Sequence, residues 1–146
     1  MSNETDFDNL KKIIQKNIDK EEEKIFSKKV LDEYRNPTNF GFIKNPDASA
    51  EKKGTCGDTM RLDLKIRDKI IYEARFWTDG CGASIACGNI LTKIIKGKKI
   101  KDAYKMTNNQ IIKALDGLPD ENIHCSVLCV DTLKECLNKY LEKKKE

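Results

Sequence analysis

Three cysteines stand in three separate segments marked by glycine or histidine: Gly54-Thr55-Cys56-Gly57-Asp58, Gly80-Cys81-Gly82 and His124-Cys125-Ser126. Thiolate sulfur is a soft donor suited to zinc and to iron–sulfur chemistry, with imidazole and carboxylate as borderline and harder companions. Such a metal takes about four donors, which rarely come from neighbouring residues alone. The candidate set is therefore Cys56, Asp58, Cys81, His124 and Cys125. Glycines beside Cys56 and Cys81 permit unusual backbone angles and close approach, and leave N–H groups free to bond a thiolate or sulfide. Asp58 lies two residues after Cys56, where the start of a strand returns the side chain to the same side. A carboxylate holds sulfide-bridged iron less firmly than a thiolate does, so a mixed set suits a cluster that is made and then released. His124 is the sole histidine, and beside Cys125 it can act as a ligand or exchange a proton with the neighbouring thiol.

Each segment also has an ordinary reading. Gly-Cys-Gly serves as a tight turn with a small filler, Asp58 as a turn cap, and a lone histidine as a surface or core residue. Three such segments in one small chain favour the chemical reading. The other cysteines differ: Cys87 lies on the apolar stripe of its helix, Cys136 beside Leu133 and Leu137, and Cys129 one turn from Cys125 on a core-like stripe. They are assigned to packing and left outside the site.

The elements that must position these groups follow from periodicity. Residues 6–33 carry Phe7, Leu10, Ile14, Ile18, Ile25, Val30 and Leu31 at helical spacing, with an interruption expected in the charged run 19–24 and an end near Asn36-Pro37. Residues 36–55 read as loop with a short strand. Met60, Leu62, Leu64 and Ile66 alternate with Arg61, Asp63, Lys65 and Arg67, which predicts a half-buried strand. A turn at Asp68-Lys69 leads to a second strand, with Ile70, Tyr72, Ala74 and Phe76 on one face, that delivers Cys81 to a sheet edge. A helix follows over 83–95, closed by Gly97; a capping box, Thr107 with Gln110, opens another, stopped by Gly117 and Pro119. Ser126 is expected to cap a last helix with the stripe Val130, Leu133, Leu137, Tyr140 and Leu141, which sets Cys125 at its N-terminus, where exposed amides favour a thiolate.

The 146 residues fit one domain able to bury its own core, and 36% charged residues with a net charge of +4 leave both signs interspersed. Nucleic-acid binding gains little support, and no apolar run is long enough to span a membrane. The acidic start Met1-Ser2-Asn3-Glu4-Thr5-Asp6 lacks a signal-peptide pattern, so a cytoplasmic location with reduced thiols is expected.

Taken in order, these residues resemble the IscU/NifU-type iron–sulfur cluster assembly scaffolds. The likeness runs from Tyr34-Arg35-Asn36-Pro37-Thr38-Asn39-Phe40-Gly41 through Cys56-Gly57-Asp58, Ala74-Arg75-Phe76, Gly80-Cys81-Gly82-Ala83-Ser84-Ile85-Ala86 and Lys96-Gly97-Lys98 to His124-Cys125-Ser126. The resemblance implies an α+β fold with a small, three-stranded antiparallel sheet and helices packed mainly on one face. It implies a scaffold domain over residues 34–146, preceded by a helical extension at 1–33. It implies that Cys56, Asp58, Cys81, His124 and Cys125 hold Fe2+ or Zn2+ and assemble a transient [2Fe–2S] cluster, with Cys125 as persulfide acceptor. The implied partners are a cysteine desulfurase, a ferredoxin-type electron donor and apo-protein acceptors of the cluster. An Hsp70/J-type chaperone is left open, because the family's Leu-Pro-Pro-Val-Lys segment stands here as Leu118-Pro119-Asp120-Glu121-Asn122.

The resemblance implies a binding protein rather than an enzyme. The competing functions are a structural zinc-binding interaction module, a Cys–His enzyme with Cys125 as nucleophile, and a permanent electron carrier, the last disfavoured by the mixed ligand set.

Overall fold

The computed structural model describes residues 3–145. Helices α1 (Asn3–Ile25) and α2 (Lys28–Arg35) precede strands β1 (Ala48–Lys53), β2 (Thr59–Arg67) and β3 (Ile70–Thr78); helices α3 (Gly82–Ile95), α4 (Ile100–Tyr104), α5 (Asn108–Ala114) and α6 (Ile123–Lys145) follow. The strands form one antiparallel sheet in the order β1-β2-β3. The fold is therefore α+β, as expected. Met60, Leu62 and Leu64 from β2 and Ala74 and Phe76 from β3 meet Leu91 and Ile95 of α3 and Leu133 and Leu137 of α6 in a single buried core. Gly88 brings α3 onto β3, since a Cβ there would collide with the Phe76 ring.

The α1–α2 break falls at Phe26-Ser27, not within the charged run 19–24. That run stays helical, with Lys24 paired to Glu21 at 3.4 Å, and Arg35 of α2 reaches its Asp19 and Glu22 at 3.5 and 3.3 Å. Ser27 instead supplies an N-cap, its oxygen accepting from the Val30 N–H at 3.1 Å. Helix α2 buries Val30 and Leu31 and packs on α3, so it straddles the boundary expected after residue 33.

The β2–β3 hairpin is present, but its pairing shifts where Lys65 opposes Glu73 and Ile66 opposes Ile71. The extra residue on β3 reverses the side-chain alternation, so Ile71 is buried while Ile70 and Tyr72 are exposed, contrary to the face expected. The turn residues Asp68 and Lys69 have φ of 53° and 66°. Two successive left-handed residues match a type I′ hairpin, which favours glycine second. Lys69→Gly is therefore expected to stabilise the fold by about 1 kcal/mol, raising the melting temperature by roughly 2–4 °C.

Asp63 also departs from the alternation: it is buried beneath the loop 42–47. Its carboxylate accepts from the Ile43 N–H (3.0 Å), the Ser49 hydroxyl (2.6 Å) and Arg61 Nε (3.0 Å). Asp63→Ala leaves those donors without an acceptor and is expected to cost about 2–4 kcal/mol, measurable by urea unfolding. Residues 39–41 line the free edge of β3, with Gly41 N–H donating to Phe76 O at 2.8 Å and Phe76 N–H to Asn39 O at 3.1 Å. Asn39 is in turn anchored on α3, its N–H donating to Asn89 Oδ1 and its side chain to Thr92 Oγ1.

Candidate functional site

The β1–β2 turn, the exit from β3 and the entrance to α6 meet at one end of the sheet. In the first, Gly54 N–H donates to Asp58 O at 2.7 Å and Gly57 takes φ of +94°, which leaves Cys56 exposed at the tip. Glycine is needed at 57 for that angle. At Gly80 and Gly82 the requirement is space: an added Cβ would lie 2.7 Å from Asp58 Oδ2 at Gly80 and 2.7 Å from the Tyr34 ring at Gly82. Cys81, between them, is the exposed N-cap of α3.

Helix α6 begins earlier than expected. A 3-10 turn over Asp120–Asn122 runs directly into it, so Ser126 is not its cap but lies buried in the first turn, donating to Ile123 O at 2.6 Å. His124 and Cys125 thus sit within that turn, with His124 half-buried and Cys125 only 1% exposed.

The five expected residues converge. Ligand atoms of Cys56, Asp58 and His124 lie within 4.8 Å of one another. Cys125 Sγ is 3.7 Å from His124 Nε2. Ser84, in the first turn of α3, joins the remaining groups: its hydroxyl lies 3.2 Å from Asp58 Oδ2, 3.3 Å from Cys125 Sγ and 4.0 Å from Cys81 Sγ. Ser84 was not singled out by the sequence reading. Its signal was present, since a residue three positions beyond a helix N-cap lies over that cap.

The two helix-terminal thiols are unequal. Hydrogen bonding from the Cys125 thiol, with the Ser84 and Ala83 N–H groups at the start of α3, lowers the Cys81 pKa to about 5. Cys125 moves the opposite way: its proton is held against Cys81, and burial adds to the rise. The α6 N-terminus therefore does not make Cys125 the resting thiolate, as expected from its position; Cys81 takes that part because it is exposed and receives the donors. In metal-free protein, alkylation of Cys81 by iodoacetamide is expected to fall with a half-point near pH 5, because only the thiolate reacts. Cys125→Ala should move that half-point upward. Mass spectrometry of the Cys81 peptide across pH reads both, and a half-point near the ordinary thiol value of about 8.5 contradicts the arrangement.

Cys87, Cys129 and Cys136 are fully buried, in keeping with packing roles. Burial pushes the Cys136 thiol up to about 12, and it rests against Leu62 O.

An α+β domain that gathers three thiols, a carboxylate and an imidazole at two helix N-termini, with the Ser84 hydroxyl between Asp58, Cys81 and Cys125, defines a mixed-donor pocket, open to solvent at Cys56 and Cys81. The family described as NifU-like N terminal domain matches residues 25–146, and the chain belongs to it. The iron–sulfur cluster assembly scaffold protein IscU of Buchnera aphidicola (subsp. Acyrthosiphon pisum) is 40% identical over 124 residues, spanning 82% of this chain and 97% of that protein. IscU of Rickettsia prowazekii is likewise 40% identical over 124 residues, spanning 82% of this chain and 94% of that one. Among solved structures, the nitrogen-fixing NifU-like protein (N-terminal) from Brucella abortus has a TM-score of 0.62 at 20% identity, covering 80% of this chain and 94% of that chain. At that identity the likeness is one of fold.

Proposed function

We propose that this protein is a scaffold on which a transient [2Fe–2S] cluster is assembled from Fe2+ and persulfide sulfur and then passed to apo-proteins. The observation that carries the reading is the convergence of Cys56, Asp58, Cys81, His124 and Cys125 at one partly open pocket. Soft thiolates bind iron and its sulfide bridges, and the harder carboxylate makes one attachment easier to release. The cluster is cargo here, bound and surrendered. Relatives named as cluster assembly scaffolds support the same reading.

Cys125 is the persulfide acceptor in this proposal. Its sulfur attacks the terminal sulfur of a cysteine desulfurase persulfide; a new S–S bond forms on Cys125, the donor S–S bond breaks, and the desulfurase cysteine leaves as thiolate. The Cys125 proton passes to the Cys81 thiolate, which already accepts its hydrogen bond. Two electrons from a ferredoxin-type donor then reduce each persulfide sulfur to sulfide. The turn at Asp120–Asn122 follows Leu118-Pro119 and carries acids in place of the lysine of the chaperone-recognition segment, so a chaperone is not part of the proposal.

Anaerobic reconstitution with Fe2+, cysteine and a desulfurase, followed by transfer to an apo-ferredoxin with iron and sulfide measured before and after, tests the reading. Cluster formation and loss to the acceptor support it. Stoichiometric Zn2+ that resists transfer, with no sulfide accepted, would establish the zinc-module alternative instead. That alternative is the weaker, because Leu62, Phe76, Leu91 and Leu133 form a buried core that does not depend on a metal.

A further inference from the structure

We infer that the first turns of α1 from one copy dock into a lysine-rimmed groove on a second copy, so that the chain self-associates away from its donor pocket. The groove lies between the β2–β3 turn, α4 and the C-terminal half of α6. Cys125 and Leu141, both on α6, are separated by 16 residues, or about 24 Å along the helix. Tyr104, Tyr140 and Leu141 form the floor, with Lys134 and Lys144 over the Tyr104 and Tyr140 rings at 5.9 and 5.6 Å, and Lys69, Lys99, Lys101 and Lys105 stand around it. None of these lysines is in an ion pair among the described residues, although Asp68 also lines the rim.

Helix α1 supplies the complement. No side chain over residues 6–25 is buried, and Phe7 and Leu10, spaced i,i+3, are 58% and 52% exposed. Asp6 and Asp8 flank Phe7 and form no ion pair among the described residues. An Asp-Phe-Asp-Asn-Leu turn thus offers Phe7 and Leu10, flanked by the Asp6 and Asp8 carboxylates and with the Lys11 ammonium 4.6 Å from the Phe7 ring centroid, to a floor of rings and a rim of ammonium groups. The ion pairs of Arg35 with Asp19 and Glu22 hold the other end of α1 against α2 of its own chain.

Pairing of α1 with another α1 is less well matched. The helix is acidic at Asp6 and Asp8, basic at Lys11, Lys12 and Lys16, and acidic on balance over 19–24, where Asp19, Glu21, Glu22 and Glu23 outnumber Lys20 and Lys24. In-register parallel pairing sets like charge against like, and centred antiparallel pairing sets Asp6 against Glu22 and Lys12 against Lys16, with Asp8 against Lys20 and Glu4 against Lys24 as the unlike matches.

Sedimentation velocity of the full chain over a wide concentration range is expected to show association that weakens with salt. Lys101→Glu with Lys105→Glu, and separately Asp6→Lys with Asp8→Lys, should each weaken it by about tenfold or more while circular dichroism stays unchanged. Mixing the two variants should restore part of the association, because the unaltered acidic helix of one then finds the unaltered lysine-rimmed groove of the other. A monomer at all concentrations, association insensitive to the groove substitutions, or no recovery on mixing overturns the inference.

Discussion

Cys81→Ser is expected to lower the yield of reconstituted cluster by about 100-fold or more, the largest loss among single changes in the pocket. Cys81 is the thiol whose pKa is held to about 5, so it is anionic and available to iron at neutral pH without first shedding a proton, whereas Cys125 keeps its proton. Serine keeps the size of the side chain but replaces a soft anion by a hard, neutral hydroxyl. The change also removes the thiolate that receives the Cys125 proton, so persulfide loading on Cys125 should slow in the same variant. The two effects separate experimentally. Iron and sulfide content after chemical reconstitution reads the first, and the persulfide mass increment on the Cys125 peptide after brief exposure to desulfurase and cysteine reads the second. Cys125→Ser should abolish the increment. Normal cluster yield in Cys81→Ser, or an increment that remains in Cys125→Ser, contradicts the assignment of roles.

Asp58→Cys is expected to work in the opposite direction, slowing transfer of a formed cluster to an apo-ferredoxin by about 10- to 100-fold while leaving assembly intact. Asp58 stands with Cys56 and His124 within ligand distance, and its Oδ2 lies 3.2 Å from the Ser84 hydroxyl. A hydrogen-bonded carboxylate is a weak partner for sulfide-bridged iron, and so is a natural point of release. A fourth thiolate makes the pocket resemble the all-cysteine sites that retain their clusters. The half-time of transfer, followed by the loss of sulfide-to-iron absorption from the donor, is the measurement. Transfer as fast as that of the unaltered chain removes the carboxylate from the account of release.

The candidate site was legible residue by residue because the residues that converge there are of rare types. Cysteine, histidine and glycine at Cys56-Gly57-Asp58, Gly80-Cys81-Gly82 and His124-Cys125 have few other reasons to occur in that order. The β2 alternation and the Thr107–Gln110 capping box were equally local signals, and both appear in the fold. Where the reading failed, a distant partner had intervened. Asp63 sits in an outward register position yet is buried, because the loop at Ile43 and the Ser49 hydroxyl come across to it. Ile70 and Tyr72 face out because β3 carries one residue more than β2 across the shifted pairing.

Periodicity marked the hairpin and most of the helices, and motif order carried the resemblance that implied the α+β class and the five candidate donors, because each of these depends on side-chain type and short-range spacing. The identity of the resting thiolate was beyond that reach. It depends on which thiol is exposed at the tip of α3, which is buried in the first turn of α6, and how Ser84 sits between them. A pKa is set by the donors and solvent around a group, and those arrive from segments more than 40 residues apart, so only the assembled fold could distinguish Cys81 from Cys125.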